Sequence, residues 1–336
     1  MLKLMRKAII VVLVLLYGCT AKEFFPVVID LDGQEVFLEE YFSPFVRITV
    51  SDSLFAAVDE QNDPMIFVYS LPSFKLISNI GKSGNGPGEL LSISRIKFDE
   101  KNHIWAYDYY KTTFFAFDIK HDVSINAVKI FEDEKPLFTP YANFISDREY
   151  AVYRPAVDGM GIFQLFYDGK CIKSIGKLPV KDANIPQFAF AQSYQALSEY
   201  SVRLKKMALA YRYTNKIDIV DMVTDSIISI HVEKFYDPIY SISEDNYFQV
   251  TPNTICAYNG IDVDDKYIYA LYAGNKFFSE AESKEIHVFD WYGNPICKFM
   301  LSHEAIDIAV SKNSKKIYTI SPDTNNNPVV YDFNID

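Results

Sequence analysis

"HIWAYDYYKTTFFAFD", residues 103–118, decides how the whole chain is read. Two short runs rich in Ile, Trp, Tyr, Thr and Phe flank a polar turn, and the stretch closes on an aromatic followed by Asp. Runs of this length and composition are antiparallel strands, and nothing in them has a helical period. The same plan recurs in "REYAVYRPAVDGMGIFQLFYDG" (148–169), "KKMALAYRYTNKIDIVD" (205–221), "KYIYALYAGNKFFSEAESKEIHVFDWYG" (266–293) and "KKIYTISPDTNNNPVVYD" (315–332). A looser copy is "SLFAAVDEQNDPMIFVYS" (53–70).

Aligning the copies on Phe55, Trp105, Tyr150, Ala208, Tyr269 and Tyr318 gives steps of 50, 45, 58, 61 and 49 residues. A four-stranded propeller blade takes about 40–50 residues, so six copies predict an all-β, six-bladed β-propeller of four-stranded antiparallel blades. The Asp that ends a third strand can accept hydrogen bonds from amides of the turn that follows. The last copy stops after its third strand, "PVVYDF", and lacks an outer one. "PVVID" at 26–30 is apolar, β-branched and otherwise unpaired. A strand at about 26–31 is therefore expected to complete the last blade, close the ring and cover an open edge. Residues 26–336 then form a single domain, and most of the chain's fifty Phe and Tyr fill the spaces between blades.

"GKSGNGPGEL" (81–90) has a different role. A P-loop needs Gly with four residues between it and Gly-Lys-Ser, where Leu76 stands, and the run Gly84, Gly86, Gly88 leads into a strand rather than a helix. Neither phosphate motif is met. The glycines supply positive φ and Pro87 fixes a bend, so the loop turns the chain from one blade to the next.

The first residues read as an export signal. Lys3, Arg6 and Lys7 precede "AIIVVLVLLY" and then Gly18 and Cys19. A basic start, a short apolar run and a small residue make a secretory signal, and the run is too short to span a bilayer. "LYGC" resembles a bacterial lipobox, with Cys19 as the acylated residue. The expected plan is a signal over 1–18, a tether over 19–25 and attachment to a membrane through lipid. Three of the 33 Lys and Arg precede Cys19 and all 44 Asp and Glu follow it, so the mature balance is −14. An acidic chain is a poor nucleic-acid ligand, because binding there works by displacing counterions from phosphate. Cys171, Cys256 and Cys297 form no CxxC pair and read as small buried hydrophobes.

The loop at 81–90 and its continuation to 118 resemble an NHL-type propeller repeat. Together with "MALAYRYTNKIDI" (207–219), "YNGIDVDDKYIYALY" (258–272) and "VFDWYGNPI" (288–296), they make the chain resemble the six-bladed TolB-like propeller lipoproteins of Bacteroidetes. The resemblance implies the fold, export and lipid anchoring, and brings no catalytic residues. One departure is the turn at Ser201–Arg203, where the family pattern expects a glycine.

Motifs for chemistry are sparse. There is no HExxH or GxSxG, and His103, His121, His231, His287 and His303 are scattered. "DLDG" (30–33) and "DVDD" (262–265) are fragments of calcium loops that lack the distant Glu, so no cofactor is predicted and calcium is a remote alternative. A metal-dependent hydrolase or lyase in the central channel would need carboxylates that converge in space. In a propeller, the loops joining second to third strands lie on one face with the connections between blades. There Tyr stands beside Lys or Arg in four blades: Tyr109 and Lys111, Arg154 after Tyr153, Tyr211, Arg212 and Tyr213, and Lys276 after Tyr272. The long inserts at about 176–193 and 233–253 should add Phe188, Phe190, Tyr236 and Tyr247 to that face. Rings and guanidinium donors at a channel mouth suit a glycan or an acidic ligand. A non-enzymatic binding or scaffold protein of the cell envelope, with a glycan or an envelope protein as partner, is the leading expectation.

Overall fold

A computed structural model describes residues 23–335, except 39, 41, 44–45, 122, 131–140, 156–159, 280–282, 314 and 323–327. The signal expected over 1–18 and Cys19 lie outside the described residues.

Six sheets follow one another along the chain, over 47–80, 93–129, 142–175, 196–231, 255–301 and 307–334. Each of the first five contributes four consecutive antiparallel strands, and the last contributes three. The first strands of the blades, Arg47–Val50, Ile93–Phe98, Ala142–Phe144, Ala196–Ser201, Ile255–Val263 and Asp307–Val310, pack in sequence around a central axis. This is the six-bladed propeller that the repeats predict. All six residues used to align the copies stand on second strands.

The repeats form blades because each middle strand is apolar on both faces, one for each neighbouring blade. Rings bridge the gaps. Trp105 stacks on Phe144 at 3.8 Å, Tyr153 meets Tyr211 edge-on at 6.0 Å, and Phe55 meets Tyr318 at 6.0 Å across the join between last and first blades. Each such pair contributes about 0.5–1.5 kcal/mol beyond its burial. Fourth strands face water, and Lys75–Ile80 accordingly alternates exposed and half-buried residues until its last position.

The Asp after the third strand does its expected work. Asp118 accepts from Lys120 N, Asp221 from Val223 and Thr224 N, and Asp290 from Tyr292 and Asn294 N, at 2.8–3.0 Å. At the turn where the family pattern expects glycine, Lys205 takes the left-handed conformation, with φ 53°.

The N-terminal segment closes the ring, with a shift from the expected placement. Val28–Leu31 runs parallel to Pro295–Leu301, as a fifth strand on the fifth blade. The chain then turns at Asp32-Gly33, and Gln34–Val36 pairs antiparallel with Pro328–Asn334 as the outer strand of the last blade. The apolar run at 26–31 therefore sits one blade away from the seam it was expected to fill. An outer strand is open to water, so hydrophobicity does not select it, and the polar Gln34-Glu35 serves as well.

"GKSGNGPGEL" joins the first two blades, as read. Gly84 and Gly88 have φ 149° and 76°, and Glu89 folds back to accept from Gly86 N at 2.7 Å. A side chain at either glycine would be strained.

Candidate functional site

A blade's first strand descends from the connection between blades, its second ascends and its third descends. The connections between blades and the second-to-third loops thus share one end of the molecule, here the upper face. The two long inserts meet there. A short helix, Gln187–Ser193, and a hairpin with strands Ser241–Ile242 and Phe248–Gln249 pack together. Phe248 N donates to Gln192 Oε1 at 2.9 Å, and Phe188 and Tyr247 meet edge-on at 5.4 Å. Phe190 is buried beneath them, and Thr214 Oγ1 donates to Tyr236 O at 2.6 Å. The inserts form a cap beside the channel mouth.

The Tyr-Lys-Arg residues read from the sequence all lie on this face but have separate duties. Lys111 points into its own blade and donates to Gly84 O at 3.0 Å and Glu89 O at 2.7 Å, bracing the glycine loop. Tyr211 is buried and donates to Asp218 Oδ2 at 2.7 Å. Tyr213 is buried against Phe248, with ring centres 4.7 Å apart. Lys276 is exposed and donates to Asn253 Oδ1 at 3.1 Å. Tyr109 is half-buried beside the exposed Tyr110. Arg154 is half-buried in the field of Tyr107, Tyr150 and Cys171.

Arg212 is the exception. Its guanidinium lies beside Tyr141 and Tyr213 and is hydrogen-bonded to the Cys256 thiol, while its Nε is buried with no acceptor among the described residues. Burial pushes the Cys256 thiol up, and Arg212 only partly offsets that. Tyr141 also neighbours Arg95, which lines the channel.

The channel holds the charges that sequence reading missed. Arg47, Arg95, Lys97, Glu199 and Asp262 line it, with Asp307 facing Arg95 and Arg47, and the space left among them is water-sized. Arg95 pairs with Glu199 and donates to Ser198 O at 3.1 Å, and Lys97 reaches Glu199 at 2.9 Å. Asp262 accepts from Val310 N at 2.7 Å, and Asp307 from Ile48 N at 3.0 Å, so each pins its blade to the next. Burial raises both of these carboxyls and lowers Lys97 to about 8. The signal for this ring was present as alternation along the first strands, in Arg95-x-Lys97 and Arg47-x-Thr49.

Of the two calcium-like fragments, only the one at 262–265 turns carboxylates onto the chain. Asp264 accepts from Lys266 N, Tyr267 N and Tyr269 OH, and Asp30 lies exposed on the parallel strand. Among the described residues no group of three or more His, Cys, Asp or Glu comes together that could hold a metal ion.

The family model for TolB-like six-blade propellers matches residues 28–313. The chain belongs to that family. Solved structures agree on the architecture of this TolB-like propeller. A member of the DUF4221 family from Bacteroides vulgatus superposes with a TM-score of 0.59 at 13% identity, over 90% of this chain and 95% of its own. A candidate exported protein from Bacteroides fragilis gives 0.58 at 13% identity, over 92% and 99%. At such identity the likeness is one of fold. No curated protein matches the TolB-like chain in sequence.

Proposed function

We propose that this TolB-like propeller is an exported, lipid-anchored recognition protein that holds a short glycan at the upper mouth of its channel. Arg212 carries the reading: a buried guanidinium Nε without an acceptor is costly, and a ligand oxygen would satisfy it. Tyr141 and Tyr213 flank it with aromatic surface, and the cap formed by the two inserts gives the mouth a wall. Asp and Glu outnumber Lys and Arg roughly two to one in the connections of the upper face, which disfavours a polyanion and favours a sugar with hydroxyls or a single carboxylate. Export is supported by the basic, apolar start that leads to "LYGC", and by the likeness to a protein described as exported. Nothing among the described residues favours the metal-dependent hydrolase.

The test is calorimetric titration of the mature protein in detergent with neutral and uronic oligosaccharides, repeated with Arg212→Gln. The expected result is saturable heat with a sugar, abolished in the variant while its melting temperature stays within a few degrees. Absence of heat across both sugar classes refutes the reading.

A further inference from the structure

We propose that the lower face, at the turns of the fourth and fifth blades, lies against the membrane, and that the channel mouth and its cap point away from it. The inference rests on the lipid anchor at Cys19 proposed above.

The N-terminal segment sets the geometry. Phe25 is buried between the fourth and fifth blades, 4.7 Å from the His287 ring and 5.5 Å from Phe289, which stands near the lower end of Glu285–Asp290. Phe24 meets the same Phe289 ring at 6.4 Å. From there Val28–Leu31 climbs parallel to Pro295–Leu301, which itself rises from the lower turn. The tether therefore enters from below. Phe24 is the fifth residue after Cys19, and five residue steps span at most about 18 Å. The seven residues of Pro295–Leu301 rise about 23 Å, and the cap stands above their end. An acyl chain on Cys19 reaches the lower rim of these blades and cannot reach the cap.

The surface around the entry point has the chemistry of a lipid interface. Tyr292 is 76% exposed, Val223 63% and Val202 51%, all on lower turns of these two blades. Arg203 and Lys205 stand exposed on the same turns, and Lys206 lies over the Tyr292 ring at 5.1 Å. Tyrosine at headgroup depth, aliphatic side chains and snorkelling basic residues are what an interfacial surface uses. Charge is divided between the two faces in the same sense. In the lower connections Lys and Arg balance Asp and Glu, while the upper connections are strongly acidic. An anionic leaflet repels the upper face and tolerates the lower one.

The experiment uses the lipidated full chain, purified from membranes and reconstituted in phosphatidylethanolamine–phosphatidylglycerol vesicles that contain a nitroxide lipid. A fluorophore is placed at Val223→Cys on the lower face or at Glu244→Cys on the hairpin of the cap, each in a Cys171→Ala, Cys256→Ala background. Both positions are exposed turn residues. Quenching is expected to be at least five-fold stronger at 223 than at 244. Equal or reversed quenching, with lipid on Cys19 verified by mass spectrometry, overturns the orientation alone. An unlipidated Cys19 overturns the anchor and the orientation together.

Discussion

Lys111 spends its charge on the protein's own backbone, holding two carbonyls of the loop that links the first two blades. Lys111→Met should therefore lower stability by about 2 kcal/mol, read as a shift in the urea midpoint, and leave sugar binding unchanged. Tyr211→Phe belongs to the same class. The lost hydroxyl leaves Asp218 to Lys216 and Ser229, at a cost of about 1–2 kcal/mol. Arg212→Gln is expected to behave in the opposite way, with binding lost and the midpoint little changed. These three residues carry the same Tyr-Lys-Arg motif in the sequence. Their side chains diverge because burial and partners, rather than residue type, decide which charge is committed. That division is invisible in a linear motif. The blade plan was fully legible because its signal is a period, repeated six times. The channel ring was legible only in part, since two alternating basic residues on a strand do not reveal which acids face them from other blades.

Among the elements, the N-terminal segment is the most exposed to perturbation. It pairs with two blades, but over 25–31 its hydrophobic anchorage rests on Phe25 and Leu31, because Val28 and Ile29 are exposed. Phe25→Ala should cost about 3 kcal/mol. It should also raise amide exchange at Val28–Leu31 well before exchange rises in the inner strands, as mass spectrometry of proton exchange would report. Equal protection along the segment in the variant would show that the strand pairs alone suffice. The misplacement of 26–31 by one blade has its cause here too. Edge strands are chosen by pairing geometry and chain length, which apolar content does not report.

For the whole molecule, His287 is expected to contribute to acid sensitivity. The ring is buried, with Nε2 facing Glu285 at 3.3 Å and Nδ1 facing Tyr258 OH at 3.1 Å. Burial lowers it from its usual 6.5, while Glu285 pulls up and Lys298 pushes down, with Glu233 further off; Glu285 is itself lowered, chiefly by its bond to His287. Groups depressed in the folded state contribute stability above their unfolded values, and that stability is lost as pH falls. Asp262 and Asp307, raised by burial, work in the opposite sense. The comparison to make is between wild type and His287→Gln, with melting temperatures at pH 7 and pH 5. The stability advantage of wild type should shrink on acidification, by up to about 1.4 kcal/mol for each unit by which the imidazole is depressed. An unchanged or growing advantage would place the acid sensitivity elsewhere.

The N-terminal strands on the fifth and last blades also govern when the protein can be completed. Among the described residues, 28–36 form strand pairs with 295–334 alone, so this early segment must wait for one about 260 residues later. Contacts so distant in sequence fold slowly and leave strand edges open in the meantime. If the chain is exported as proposed, it cannot close its ring early during passage through a secretion channel. It would stay threadable until residues 295–334 are across, and only then could the N-terminal strands lock the ring.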